Sequence, residues 1–336
     1  MKRSPRDVQQ LGLLPWHEDS WRRIWQSRRR AGLHHALLLR GLAGVGKQRF
    51  AQSLMAALLC DNVDDHGLAC TECAACRWFL AGSHPDCLVL EPEPDSQVIK
   101  VDQIRELVEF TMLTRSRGDH KVVLVQPADV LNTHAANSLL KTLEEPPAGV
   151  ILILVTANPA ALAATLRSRC EQILLPPPPC DVAMDWLQAH YPEARPSYLA
   201  EALSAAGGAP LAAQPWLGAL EDGSLQAAKA QWLAVMAGEA DALTVAATWA
   251  DAPQRHSRWL IRWIQAMIRD RLSGLGKLAV PIDIATLYTR LDHALAILRL
   301  ANTPLNAQLL MDDLLIPWYG LNAPGRSHAA RPPPPM

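Results

Sequence analysis

Four cysteines crowd one short segment of the chain. Cys60 is followed by Cys70, Cys73 and Cys76. Two consecutive C-x-x-C spacings let three thiolates converge, and Cys60 adds a fourth from the preceding predicted helix. This pattern is typical of a tetrahedral Zn²⁺ site, and four sulfur ligands leave no open position for catalysis. A set of buried thiols along one helix face is the alternative. We predict a structural zinc module inserted at residues 60–76.

A glycine-rich loop provides a second candidate site. It contains Gly41, Gly44, Gly46 and Lys47 and lies between a predicted strand and a predicted helix. In that context backbone N–H groups and a lysine can bind phosphate. The loop continues with Gln48 where a magnesium-binding Ser or Thr is usual, and a Gln carbonyl fits a tight octahedral site poorly. Two interpretations follow: an ATP switch, or a loop retained only for its turn.

The strand that should end in an acidic pair lacks that pair. Gln126 and Pro127 stand where one carboxylate would hold the metal ion and another would polarise the attacking water. With Gln48, these are independent losses from one site. They favour a site that does not hydrolyse ATP, whereas nucleotide binding without hydrolysis stays open.

Five short apolar runs, separated by helical patterns, must position these residues. None of the runs alternates between apolar and polar residues, so each predicts a strand buried on both faces. Strands that alternate with helices predict an α/β fold with a parallel sheet covered on both sides. One of the helices is predicted to begin after a cap at Asp102. The predicted strands are residues 36–40, 88–91, 122–126, 151–155 and 173–175.

The proline run at 176–179 ends the strand pattern, and the later segments are helical in character. A length of 336 residues predicts two or three domains. We therefore expect a small helical unit at 181–215, longer helices at 216–322 and a disordered, proline-rich tail at 323–336. The net charge of −1 gives no global attraction to nucleic acid, and no signal or membrane segment is evident. These features predict a cytoplasmic protein.

Several longer motifs carry a family resemblance. The run Ala135-Ala136-Asn137-Ser138-Leu139-Leu140-Lys141-Thr142-Leu143-Glu144-Glu145-Pro146-Pro147 and the run Leu166-Arg167-Ser168-Arg169-Cys170, together with the glycine loop and the cysteine cluster, resemble the bacterial clamp-loader family of AAA+ ATPases. The resemblance is strong over residues 30–180. It implies an AAA+ P-loop domain at 1–177, a helical lid at 178–215 and an all-α collar at 216–322 that joins five subunits in a ring.

The resemblance also assigns a role to Arg169. It matches the arginine finger that reaches into the ATP site of the adjacent subunit, where a guanidinium stabilises charge on the transferring phosphate. The alternative is a surface arginine paired with a carboxylate. Thr156 matches a nucleotide-sensing position with nothing left to sense. Pro210 replaces the arginine that the lid of an active motor carries. The pattern is closer to the stationary member of the family than to its motor.

The implied function is that of an accessory subunit of a DNA-directed DNA polymerase holoenzyme, not an enzyme as an isolated chain. Its implied partners are the motor (tau/gamma) and delta subunits and, through the complex, the sliding clamp and primed DNA. The implied cofactor is structural Zn²⁺, with ATP not hydrolysed. The alternatives are an active clamp-loader ATPase, which the lost groups argue against, and a zinc-supported DNA-binding module, which the neutral charge disfavours. The Trp- and Arg-rich segment 21–30 is interpreted as a solvated helix face, with Trp16, Trp21 and Trp25 packed on the sheet edge.

Overall fold

The computed structural model describes residues 11–94, 96–273, 282–301, 303 and 305–321. The chain divides into two compact units, Met1–Pro215 and Trp216–Met336. The predicted disordered tail at 323–336 lies outside the described residues. The division of the first unit into a P-loop domain and a lid, and the role of the second unit as a collar, stay predictions.

A five-stranded parallel sheet forms the centre of the first unit, with the strand order β2-β3-β4-β1-β5. This confirms the predicted α/β class with a parallel sheet. Strand bounds differ from the predicted runs by one or two residues, except for β1. The strands are β1 (Ala36–Arg40), β2 (Cys87–Leu90), β3 (Lys121–Val125), β4 (Val150–Thr156) and β5 (Glu171–Leu174).

Burial separates the central strands from the edge strands. Every residue of β3 and β4 is buried, whereas β5 is mostly exposed and β2 is half-buried along most of its length. The prediction that all five strands are buried on both faces is therefore wrong for β2 and β5. These two strands have a neighbour on one side only, so the covering helices leave part of their surface open.

Helices cover both sheet faces of the first unit. Leu37 and Leu39 of β1 point into one core with the first three helices, while Ala36 and Leu38 point into a second core with the next three. This division follows from the two-residue period of a strand. The helices of this unit are α1 (Glu18–Ala31), α2 (Lys47–Leu59), α3 (Ala74–Leu80), α4 (Val101–Met112), α5 (Thr133–Glu144), α6 (Ala164–Arg167), α7 (Cys180–His190) and α8 (Pro196–Ala205).

One local expectation is corrected and another stays a prediction. Trp21 and Trp25 stack with 5.9 Å between their ring centroids, and Trp21 meets Phe50 of α2 edge-on, so α1 contacts α2. The packing of this segment on the sheet edge stays a prediction. Helix α4 begins after Lys100 and not after Asp102. The Lys100 N–H donates to Oε1 of Gln103 at 3.0 Å, so a glutamine three residues into the helix supplies the end group that we expected from Asp102.

The described part of the second unit is helical. A tryptophan cluster holds it together: Trp232 stacks on Trp263 with 5.3 Å between centroids and meets Trp318 edge-on. Within the described residues, no helix combines the length and apolarity needed to cross a membrane. The helices are α9 (Gln214–Glu221, at the boundary), α10 (Ser224–Ala237), α11 (Ala242–Trp249), α12 (Pro253–Ser273), α13 (Ile284–Leu300) and α14 (Ala307–Leu315).

Candidate functional site

The lysine of the glycine loop binds the loop itself. Lys47 opens α2, and its ammonium donates to the carbonyl oxygens of Gly41 at 2.9 Å and Leu42 at 2.7 Å. The residue is only 7% exposed. Burial lowers the pKa of Lys47, and the negative charge of Asp129 opposes that shift. The group that would contact phosphate is thus satisfied by main-chain oxygens.

A segment that follows α8 packs directly on this loop. Gly44 has a φ of 82°, and a Cβ at this position would lie 2.4 Å from the Cβ of Ala212. The N–H of Leu211 donates to the Gly44 carbonyl at 3.1 Å. Leu211 and Ala212 lie in the short turn that begins at Pro210. Two residues of this turn therefore touch the loop backbone.

The N-terminal segment encloses the loop from another direction. The Val45 carbonyl accepts hydrogen bonds from Nε1 of Trp16 at 2.9 Å and from Nε2 of His17 at 2.8 Å. A Cβ at Gly46 would come within 2.4 Å of Leu14. His17 is 1% exposed, and burial lowers its pKa to about 4. The ring is therefore neutral and carries its proton on Nε2, because a carbonyl can only accept.

Two polar side chains named from the sequence, Gln126 and Thr156, have partners at the strand ends that sequence reasoning missed. The Gln126 side chain donates through Nε2 to Oε1 of Glu91 at 2.6 Å, across two neighbouring strands. Thr156 is fully buried and donates through Oγ1 to Oδ1 of Asp129 at 2.7 Å. Pro127 is exposed. The predicted sensor residue, Thr156, thus hydrogen-bonds a carboxylate of its own chain. Gln126 and Pro127, which stand where two acids were expected, carry no charge.

The four predicted metal ligands converge. Cys60 follows the last residue of α2, Cys73 caps α3 and Cys76 lies within α3. Their sulfur atoms, with that of Cys70, all lie within 4.8 Å of one another. Individual separations are 3.5 Å for Cys60–Cys70, 3.9 Å for Cys60–Cys73 and 4.0 Å for Cys70–Cys76. Zn–S bonds of about 2.3 Å in a tetrahedron require sulfur separations of about 3.8 Å, so the cluster fits zinc.

Backbone groups prepare one of these sulfurs as a ligand. The pKa of Cys70 falls to about 7, chiefly because the backbone N–H of Cys73 and that of Glu72 hydrogen-bond its sulfur. Burial raises the pKa of Cys76 and that of Cys60. A bound cation would replace the neutralising protons on such thiols, as thiolate is the form that binds metal. If Zn²⁺ is bound, it supplies a cross-link between the end of α2 and the start of α3.

A salt bridge connects the cysteine module to the loop before β3. Nε and Nη2 of Arg117 donate to the two carboxylate oxygens of Asp61 at 3.1 and 2.9 Å. The same loop is held by Asp86, which is fully buried and accepts from the N–H groups of Ser116 and Arg117 at 2.8 Å each. The sequence places Asp61 and Arg117 far apart, so their pairing could not be read from spacing.

Arg169 lies just after α6 and is paired with a carboxylate of its own chain. Its Nη1 donates to the Thr165 carbonyl at 2.8 Å, and its Nη2 forms an ion pair with Oε1 of Glu144. The Arg169 side chain is 35% exposed and that of Glu144 is 49% exposed. The structure therefore contains the alternative arrangement, an arginine paired with a carboxylate of its own chain. This pairing leaves part of the guanidinium exposed to solvent. Glu144 was missed as its partner, although it lies within the Leu-Glu-Glu-Pro-Pro motif.

Comparison with known proteins finds relatives that match nearly the whole chain. A family model described as "DNA polymerase III, delta subunit" matches residues 16–179. The chain is 35% identical to the DNA polymerase III subunit delta' of Pseudomonas aeruginosa, with 93% of this chain and 99% of that relative covered. It is 33% identical to the subunit delta' of Escherichia coli, with 90% and 94% covered. The chain is also 36% identical to the subunit tau of Escherichia coli, with 43% of this chain and 22% of tau covered.

The tau similarity covers less than half of this chain, whereas the similarity to the delta' subunits extends over both compact units. By this full-length similarity, the chain belongs to the family of bacterial DNA polymerase III delta' subunits.

Proposed function

We propose that the chain is a non-hydrolysing subunit of the replicative clamp loader, and that it supplies Arg169 to the ATP site of a neighbouring motor subunit. Its partners would be the motor (tau/gamma) and delta subunits in a five-subunit ring, and through them the sliding clamp and primed DNA. The place of action would be the cytoplasm. Family membership supports the assembly, and the state of the glycine loop supports the lack of hydrolysis.

One observation carries the non-hydrolysing role: the groups of the candidate nucleotide site are bound to one another. Lys47 donates to two loop carbonyls, and the loop packs against Ala212 on one side and Leu14 on another. Gln48, Gln126 and Pro127 provide neither the hydroxyl nor the carboxylates that hold Mg²⁺ and orient water. Hydrolysis needs all of these groups placed together, since they act as a unit.

The surroundings of Arg169 support a role in another subunit's site. Within the part of the chain that the structure describes, its guanidinium uses two of its five N–H donors, at Nη1 and Nη2. The side chain keeps about a third of its surface open to solvent. A partly exposed arginine of this kind can contact a phosphate from a neighbour, where it stabilises charge that develops in the transition state.

The cysteine module is proposed to hold structural Zn²⁺ through Cys60, Cys70, Cys73 and Cys76. The sulfur separations support a closed four-sulfur site, which has no open position for water or substrate. The role of the ion would be to stabilise the segment between α2 and β2.

The decisive experiment tests Arg169 in reconstituted complexes. We expect Arg169→Ala to assemble like the wild type and to melt only slightly lower, because a partly exposed ion pair contributes about 0–1 kcal/mol, but to lower the clamp- and DNA-stimulated ATPase rate. Arginine fingers contribute about 10³–10⁵ in GTPases, and one site among several in a ring should show a smaller loss, roughly 10-fold. Arg169→Lys should not restore the rate, because an ammonium lacks the planar fork. Complexes with Arg169→Ala that hydrolyse ATP and load clamps normally would refute the finger.

Arg167→Ala is the matched control. It removes an arginine two residues away in the same Leu-Arg-Ser-Arg-Cys motif. The proposal expects Arg167→Ala complexes to hydrolyse ATP faster than Arg169→Ala complexes under identical conditions. Equal losses for the two variants would indicate a general effect of positive charge on this surface.

A further inference from the structure

The partner of Arg169 within its own chain is itself held in place. Glu144 is the last residue of α5, and the end of that helix is fixed from outside, because Nε2 of His35 contacts the Leu143 carbonyl at 2.9 Å. His35 immediately precedes β1, a central strand of the sheet. The Glu144 carboxylate therefore extends from a helix end that is attached to the rigid centre of the first unit.

The position of Glu144 on its helix is electrostatically unfavourable by itself. The carboxyl end of a helix carries partial negative charge, so a carboxylate there is disfavoured unless a cation lies close. Arg169 is that cation, and it also donates to the Thr165 carbonyl at 2.8 Å. One guanidinium thus bridges the end of α5 and helix α6. A carboxylate fixed at this place can hold the arginine side chain in one position.

The contacts with Glu144 and Thr165 leave the guanidinium able to donate further hydrogen bonds. The guanidinium has five N–H donors, and among the described residues one hydrogen from Nη1 and one from Nη2 are used, which leaves three for other contacts. A free arginine side chain loses considerable rotamer entropy when it is fixed at a phosphate. Fixing it beforehand lowers the loss that accompanies the reaction, since a group already in position is more effective than a mobile one.

We propose that Glu144 is a positioning residue that holds the Arg169 guanidinium in place for the phosphate of the neighbouring subunit's nucleotide. The inference rests on the proposed arginine finger. Glu144 does not touch the phosphate. It acts only through Arg169.

The test uses complexes reconstituted with the motor and delta subunits. We expect Glu144→Gln, which keeps the side-chain size and removes the charge, to lower kcat of the clamp- and DNA-stimulated ATPase roughly 3- to 10-fold. KM for ATP should not change, because the contact that is weakened acts in the transition state. Glu144→Asp, which keeps the charge on a shorter stem, should give an intermediate kcat. Glu145→Gln removes the adjacent carboxylate and should leave kcat at the wild-type value.

A double-mutant cycle separates positioning from a structural effect. With Arg169→Ala already present, adding Glu144→Gln should cause no further loss of kcat, because the two residues act as one. The same loss in both backgrounds, or a wild-type kcat for Glu144→Gln while Arg169→Ala is slow, would overturn the positioning role and leave the finger standing. A wild-type rate for Arg169→Ala alone would instead overturn the finger and the inference with it.

Melting curves and gel filtration accompany each variant of this cycle. If Glu144→Gln fails to assemble, the cycle is run with Glu144→Asp, which keeps the charge at the helix end. A kcat loss for Glu144→Asp that disappears in the Arg169→Ala background supports the positioning role, and a loss that persists there refutes it.

Discussion

At the scale of single residues, the lysine of the glycine loop makes contacts within its own loop. The Lys47 ammonium lies 2.9 and 2.7 Å from two carbonyls of its own loop. Hydrogen bonds to a charged group contribute roughly 1.5–3 kcal/mol each in folded proteins. An ammonium has three N–H donors, and two of them bind these carbonyls. The two contacts stabilise the turn of the loop.

The buried histidine beside this loop predicts a pH dependence of stability. Burial holds the pKa of His17 at about 4, against 6.5 for an ordinary histidine. Between these two values the unfolded chain binds a proton that the folded chain does not. Stability must therefore fall as the pH drops from about 6.5 to about 4, by at most ~3 kcal/mol for this residue.

The measurement for His17 is urea unfolding of the wild type and of His17→Gln at pH 7.5 and pH 5. Burial also lowers the pKa of His35, His84, His120 and His256, so the wild type and the variant should both lose stability at pH 5. The loss should be smaller for His17→Gln, which cannot take up the proton. Equal losses in the two proteins would contradict the assignment of the shift to His17.

At the scale of elements, α2 connects the two predicted sites. Lys47 is its first residue and Cys60 immediately follows its last, so the glycine loop and the cysteine cluster lie roughly 20 Å apart along a single helix. Nearly the whole helix is buried. The cysteine module and the glycine loop are thus attached to opposite ends of one buried helix.

Metal binding by the cysteine module gives the element-scale prediction. Protein purified without chelator should contain about one equivalent of zinc, and Cys73→Ser should lose it. We expect that loss to destabilise the segment between α2 and β2 by several kcal/mol, because structural zinc contributes about 10–16 kcal/mol to the folding of small peptides. The measurements are elemental analysis and limited proteolysis. Cys180→Ser, at an exposed cysteine outside the cluster, is the control. Folded wild-type protein with no zinc would contradict the assignment.

At the scale of the whole molecule, we predict that the isolated chain does not hydrolyse ATP. The purified protein should show no ATPase above background, since Gln48, Gln126 and Pro127 offer neither the hydroxyl nor the carboxylates that such a reaction uses. Restoring Gln48→Thr alone should not create activity, because these groups act together. Steady turnover by the pure chain that disappears in Lys47→Ala would show that the site is active.

Sequence spacing by itself determined the features whose parts are close along the chain. The four cysteines lie close together along the chain, so one short segment can bring their sulfur atoms together. The central strands follow from apolar runs, because a strand buried on both faces has no polar side to place. The family resemblance rests on continuous motifs, and full-length similarity to the delta' subunits confirmed it.

Only the tertiary structure decided which distant groups meet. The contacts of Glu144 with Arg169, of His17 with Val45 and of Leu211 with Gly44 each join residues far apart in sequence. No local period or spacing encodes such pairs, since they depend on how helices and turns pack around the sheet. The exposure of β5 has the same origin, because an apolar run does not reveal whether its strand lies at the centre or the edge.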